Sequence, residues 1–300
     1  MGAGASLTLP PEYDMLTQDE KASFQSKFDA KVAEGGKPED VFASMYKETL
    51  QLIAKMPDYM TGKYDIDTAK VKLRELEIKE AECEAEKKRE KYAFVGGVPL
   101  EVVLQDLEIA VEHATELGLT PLIIDNSEDN KVDTFYSYGN GVILDSKKLG
   151  LDRSMRKVPL ADLMEEARSK LVCALRYGNR LVIAMTKAVT DWNGVFTDES
   201  EECQKAENNV DIGGPNGRMC FPMEVFNNAG KALVETKYLD ALYRDSEKEN
   251  GFPVVRDPEK FRVIVTTQFS PEDFEEFLFG NDWGMPKPKE KFAFIVIKSA

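Results

Sequence analysis

Two groups of residues in this 300-residue chain have the types and spacing to do chemistry. The first is the opening Met1-Gly2-Ala3-Gly4-Ala5-Ser6, the M-G-x-x-x-[ST] arrangement in which loss of Met1 exposes the Gly2 amine to a myristoyl donor. Ala3, Gly4 and Ala5 are small and uncharged, which suits a narrow acyltransferase groove, and Ser6 supplies the recognition hydroxyl. The second group stands where apolar runs stop. Asp125 and Asn126 follow Leu122-Ile123-Ile124, Asp145 follows Val142-Ile143-Leu144, Asp191 follows the run beginning at Arg180, and Thr266 and Thr267 close Phe261 to Val265. Open α/β sheets hold ligands at the carboxyl ends of their strands, so these positions form a candidate ligand site. An apolar strand ending in Asp125 also has the form of a Walker B strand, whose carboxylate would hold Mg²⁺. Such a strand works with a phosphate-cradling loop, G-x-x-x-x-G-K-[ST]. Ala229-Gly230-Lys231-Ala232 lacks the upstream glycine and the hydroxyl, and Gly213-Gly214-Pro215-Asn216-Gly217-Arg218 lacks the lysine.

Other chemistries have little to draw on. The single histidine, His113, lies inside the helical pattern LEIAVEHATELG with no nucleophile motif beside it. Cys83, Cys173, Cys203 and Cys220 are too widely spaced for a zinc site or a redox pair, and Cys173 in Leu171-Val172-Cys173-Ala174-Leu175 reads as a buried structural thiol. No catalytic residue, no metal and no cofactor is expected.

Charge narrows the partners. The chain carries 39 basic and 54 acidic side chains, net −15, which opposes phosphate backbones and anionic lipid alike. Nucleic acid is therefore not an expected partner. No apolar run reaches the ~18–20 residues of a membrane span, and the N-terminus lacks the pattern of a signal peptide, so a cytoplasmic protein is expected. A myristoyl chain alone binds membranes marginally and needs a second signal for stable anchoring. No Lys or Arg precedes Lys21, no cysteine lies near Gly2, and Glu12, Asp14, Asp19 and Glu20 are acidic. Membrane contact through Gly2 is thus expected to be weak and reversible, or replaced by insertion into a protein pocket.

The elements that must position these groups follow from periodicity. Residues 1–16 read as a flexible acylated tail. Residues 17–60 read as a helical hairpin: Thr17 to Glu20 form a capping box, Phe24, Phe28 and Val32 recur at helical spacing, Gly35-Gly36 break the chain, and Pro38 opens a second helix. Residues 61–95 form a charged linker helix, with Val71, Leu73, Leu76 and Ile78 as its docking positions. Residues 96–300 alternate helix and strand, which predicts an α/β domain with a mostly parallel, three-layer sheet. Its expected strands are 120–125, 141–145, 180–184, 261–267 and 292–297. Its expected helices are 99–117, 160–177, about 222–248 and 271–279. The net charge is −4 over residues 1–92, from 15 bases and 19 acids, so the remainder carries −11.

Ala174-Leu175-Arg176-Tyr177-Gly178-Asn179-Arg180-Leu181-Val182-Ile183, followed by Phe261-Arg262-Val263-Ile264-Val265-Thr266-Thr267-Gln268, resembles the degenerate AAA+ modules of dynein heavy-chain motors. The likeness covers residues 100–280 and implies a P-loop-like fold without hydrolysis. The MGAGAS opening with its Pro-rich link resembles the N-termini of myristoylated proteins of flagellated protists. Both likenesses imply a setting in a cilium or flagellum, and acylation of Gly2 implies one at the periphery of a membrane. The reading that results is a non-enzymatic, N-myristoylated binding or scaffold protein with protein partners. Its alternatives are an α/β nucleotide binder or enzyme working around Asp125, and a structural component of a cytoskeletal, axonemal assembly.

Overall fold

The structure is a computed structural model that describes residues 18–55, 66–125, 127, 130–139, 141–201, 221–280 and 284–298. Gly2, Ser6, the Thr17 cap, Asn126, Cys203, Cys220 and the 213–218 turn lie outside the described residues. The chain divides into two compact units, 1–87 and 88–300.

In the first unit, α1 (Gln18–Ala33) and α2 (Pro38–Ala54) form the hairpin. Gly35 takes φ +100° at the break, a conformation open to glycine, and Pro38 begins α2, where its missing N–H costs nothing. Phe24 and Phe28 of α1 are buried with Val41 and Met45 of α2. The Phe42 ring stands edge-on to both phenylalanines at 6.2 and 6.4 Å. The charged helix α3 (Ile66–Lys91) begins on α2, where Ile66 and Ala69 are buried with Leu50 and Ile53. Of the four docking positions expected, Leu73 and Leu76 pack there. Val71 and Ile78 do not: they are 58% and 50% exposed, because the apolar face of α3 is only one residue wide per turn. From Lys88 onward the last turn of α3 belongs to the second unit.

The second unit is built on six parallel strands, β1 (Pro99–Val102), β2 (Thr120–Ile124), β3 (Gly141–Asp145), β4 (Arg180–Ala184), β5 (Arg262–Thr267) and β6 (Phe292–Ile297), in the order β1-β6-β2-β5-β4-β3. The central strands are apolar on both sides because both sides are covered. On one face Leu122, Ile124, Leu181, Val263 and Phe294 join a core with α6 (Ser146–Ser154), α7 (Leu160–Tyr177), α8 (Thr236–Leu242) and α9 (Phe274–Phe279). On the other, Ile123, Val182, Ile264 and Ile295 pack against α4 (Leu107–Glu116) and α5 (Lys131–Tyr138). The three-layer α/β arrangement expected from the alternating pattern is the one observed.

Several elements differ from expectation. The helix expected from Pro99 is instead β1, a 3-10 turn at Leu104–Asp106, and then α4. Pro99 opens an edge strand, where a missing donor is tolerated, and pairing with β6 outweighs the helical periodicity. The helix expected over 222–248 is broken into 3-10 pieces, Met223–Phe226 and Asn228–Val234, followed by α8. Thr120 enforces that break: its hydroxyl donates to the Phe226 carbonyl at 3.0 Å and accepts from the Ala229 N–H at 2.9 Å, while Ala229 and Gly230 turn left-handed. The helix expected from Pro271 starts at Phe274. Cys173 is half-buried, on the outer side of α7, not in the core.

Ion pairs fasten the layers. Arg168 of α7, about 10% exposed in its side chain, donates to the Leu242 carbonyl at 2.6 Å and forks onto Glu247 at 2.7 and 2.9 Å and onto Glu165 at 2.7 and 2.9 Å. Arg180 and Arg262 at the starts of β4 and β5 both reach Glu112 of α4, at 3.0 and 3.3 Å. Asp106 accepts from the Tyr92 hydroxyl at 2.8 Å and pairs with Lys88 at 3.1 Å. Burial would raise its carboxyl, but the Tyr92 hydroxyl and the Lys88 and Lys91 ammonium groups hold it below the usual carboxylate range.

Candidate functional site

β2 and β5 are neighbours whose chains leave in opposite directions. From β2 the chain passes through α5 on one face, and from β5 it passes through α9 on the other. In open α/β sheets ligands bind at such a switch point, and Asp125, Thr266 and Thr267 stand at the strand ends there, all three buried.

Asp125 continues β2, and its N–H donates to the Thr267 carbonyl at 2.8 Å. Its side chain is buried, and the carboxylate turns back along its own loop. One oxygen accepts from the Val132 N–H at 2.8 Å and the other from the Ser127 N–H at 3.0 Å. Ser127 Oγ in turn accepts from the Lys131 N–H at 3.4 Å. The first amides of α5 have no partner within the helix, so a carboxylate delivered by the preceding strand caps them and meets the positive end of the helix dipole. Asn130 sits left-handed at φ 48°, which its short polar side chain tolerates, and its side-chain oxygen accepts from Gln268 Nε2 just after β5.

The threonines are committed as well. Thr266 Oγ1 donates to Asp133 at 2.7 Å, and Thr267 Oγ1 donates to the Thr186 carbonyl at 3.1 Å. That carbonyl also accepts from the Gln268 N–H at 2.9 Å. Thr186 holds φ 55°, an uncommon backbone conformation for a β-branched residue, and these two bonds pin it there. Burial raises the Asp133 carboxyl above its ordinary value, the Thr266 hydrogen bond opposes this, and the Asp125 and Asp145 carboxylates add to it.

Asp145 lies apart. It ends the outermost strand, is exposed, and caps α6 by accepting from the Lys148 N–H at 2.9 Å. Two strands intervene between it and Asp125, about 14 Å at ~4.8 Å per strand. Asp191 caps the π-helical turn Trp192–Phe196, accepting from the Gly194 N–H at 2.7 Å and the Gly284 N–H at 3.2 Å. His113 is half-buried on α4, 3.8 Å from Glu116 and against the Phe94 ring. Among the described residues, no three His, Cys, Asp or Glu side chains are grouped so as to hold a metal ion.

The structure therefore brings Asp125, Thr266 and Thr267 together and adds Ser127, Asn130, Asp133 and Thr186, which sequence reasoning missed. Spacing is the signal that finds part of this set. From Asp125 to Val132 the chain has the strand–loop–helix length of G-x-x-x-x-G-K-[ST], with Lys131 at the lysine position. Asp125 and Asn130 occupy the two glycine positions, and Val132 stands where the hydroxyl would be. In a phosphate loop such amides face the ligand; here the Val132 and Ser127 amides face Asp125. Comparison of the chain with protein-family models, with curated proteins and with solved structures finds no match.

Proposed function

We propose that this chain is a non-enzymatic binding or scaffold protein, carrying a myristoyl group on Gly2 that gives weak and reversible contact with a membrane or a partner pocket. The observation that carries the non-enzymatic part is the fate of the Asp125 carboxylate. It takes the Val132 and Ser127 amides that a phosphate would need, while Thr266 and Thr267 are bonded to Asp133 and Thr186. Two carboxylates at the switch point, Asp125 and Asp133, add a field that repels polyphosphate. The likeness to degenerate AAA+ modules suits the same reading, and it is that likeness and the one at the MGAGAS opening that suggest a ciliary or axonemal setting. Among the described residues no helix is long and apolar enough to cross a membrane.

Two measurements test this. The full chain should show an unchanged melting temperature when titrated with Mg²⁺ and nucleoside di- or triphosphates; a saturable rise would transfer the assignment to nucleotide binding. That second reading is favoured by one observation, the placement of Lys131 at the start of α5 beside the switch point. Coexpression with an N-myristoyltransferase should raise the intact mass by one acyl group in the wild type and not in Gly2→Ala. An unmodified wild type would remove the lipid from the proposal.

A further inference from the structure

The sheet has two edge strands, and they are finished differently. β1 has Pro99 at its first position and Glu101 paired with Lys298, devices that keep an edge from adding another strand. β3, Gly141-Val142-Ile143-Leu144-Asp145, has neither proline nor lysine. In a parallel edge strand every second residue turns its N–H and C=O away from the neighbouring strand. Among the described residues neither a second strand nor a loop backbone pairs with that side of β3. Gly141, Val142 and Ile143 are partly exposed. They belong to a stretch of eleven residues without a charge, Thr134 to Leu144, in a chain that is 31% charged.

α5 lies against β3 and β4 and presents a stripe to the same edge. Gly141 starts β3 so close to the helix that a Cβ there would stand 2.6 Å from the Tyr136 carbonyl oxygen. Val132 and Tyr136 point into the core, and Asp133 points toward the centre of the sheet, where it accepts from Thr266 of β5. At about 100° per residue, Phe135 falls on the flank opposite Asp133, toward the outer edge of β3. Lys131 and Tyr138, four residues before it and three after, share that flank. Phe135 is 40% exposed and Tyr138 is 90% exposed.

A second copy, turned about a two-fold axis perpendicular to the sheet, covers both features. The axis sets β3 antiparallel to its own copy near Ile143, and sets α5 antiparallel to its own copy on the same face. β3 then stands ~2.4 Å from the axis and a helix seated between β3 and β4 stands ~5 Å from it, so the two helices lie ~10 Å apart, an ordinary packing distance. Phe135 meets its own copy, and Lys131 reaches the ring of the partner's Tyr138, a cation–π contact. A peptide strand added to β3 would leave the α5 stripe bare. Charge favours this place too: copies of a chain with net charge −15 repel, and here they meet over an uncharged stretch, with like charges screened beyond about 8 Å.

We propose that the chain forms a two-fold dimer through the outer edge of β3 and the Lys131, Phe135 and Tyr138 stripe of α5, joining two sheets into one continuous sheet. The dimer is independent of the reading of the chain as a binding protein.

The test is sedimentation of the full chain over about 1–100 μM at physiological salt. A reversible rise toward twice the monomer mass is expected, with slower hydrogen exchange at the β3 amides that point away from β4. Tyr138→Lys sets ammonium groups against each other and should raise the dissociation constant about tenfold or more. Adding Lys131→Glu to the same chain should reverse that loss, because acid then faces base. Both substitutions lie on the outer flank of α5, and an unchanged melting temperature verifies folding. A chain that stays monomeric at ~100 μM overturns the proposal. So does a dimer that Tyr138→Lys leaves unchanged, or a loss that Lys131→Glu does not reverse. Protection of those β3 amides in a monomer would show that another segment covers the edge, and would overturn it as well.

Discussion

Replacing Asp125 by alanine removes the acceptor for one buried and one partly buried amide and tests how the switch point is closed. The carboxylate is 3% exposed and holds Val132 N–H at 2.8 Å and Ser127 N–H at 3.0 Å. Loss of a helix cap costs about 0.5–2 kcal/mol, and a hydrogen bond to a charged acceptor contributes about 1.5–3 kcal/mol. The two descriptions overlap at Val132, so the loss should be about 2–4 kcal/mol rather than their sum. Residues 88–300 form one unit, and at that size each kcal/mol moves the melting temperature by about 2 °C. Calorimetry should therefore show Asp125→Ala melting roughly 4–8 °C below wild type. Asp125→Asn keeps one acceptor but turns an NH₂ group toward a donor, and it should recover no more than half of the loss. Hydrogen exchange adds a local readout, because the Val132 amide should lose protection in both variants. A shift below ~1 °C for alanine, or wild-type behaviour in asparagine, would show that the carboxylate does not carry these amides.

Two further outcomes follow from the ion pairs. Arg168→Met leaves Glu165, Glu247 and the Leu242 carbonyl without their shared donor, and should cost about 3 kcal/mol, the low end for a broken buried pair because Glu165 is one-third exposed. Arg168→Lys keeps the charge without the fork and should lose less, as a thermal melt would show; equal melting of the two variants would argue against the bidentate geometry. For pH, Asp106 and Glu247 are both pushed up by burial but held below their ordinary values of 3.8 and 4.5, by Tyr92 and Lys88 in one case and by Arg168 in the other. Their folded values lie below their unfolded ones, so this stability is present above those pH values and disappears as pH falls through the depressed folded values. Melting temperature followed down to about pH 3 should fall less steeply in Tyr92→Phe than in wild type, and an identical slope would contradict it.

The parts of this fold that were legible in the sequence are those whose signal is local. Leu122 to Ile124, Val263 to Val265 and Phe292 to Ile297 are continuous apolar runs, the mark of strands covered on both faces. Leu160 to Tyr177 carries a full helical stripe closed by Gly178 at φ +65°. α5 was hidden because Lys131 to Tyr138 is rich in Val, Thr, Phe and Tyr, residues that favour strands, and only Val132 and Tyr136 are buried from it. α6 was hidden because Gly150 interrupts it and Leu149 is its one buried large apolar residue. The candidate site shows the same division. Asp125 stands out as a carboxylate ending a buried strand, but its partner at Val132 follows only once α5 is known. The Thr266–Asp133 bond spans 133 positions and exists because β2 and β5 are neighbours, a fact of topology that no local pattern carries.

The strand order also fixes a timetable for the nascent chain. β1 has β6 as its sheet neighbour, and β2 lies between β5 and β6, so the first two strands to leave the ribosome wait for the last two. Roughly 140 residues separate the end of β2 from the start of β5, which at ~5–20 residues per second is a delay on the order of ten seconds. During that interval the uncharged run Leu122 to Ile124, wholly buried in the finished sheet, has no strand beside it, while β3 and β4 already have each other. Newly made chains should therefore depend on holding factors until synthesis passes residue 297, and those stalled between β4 and β5 should be the most prone to aggregate.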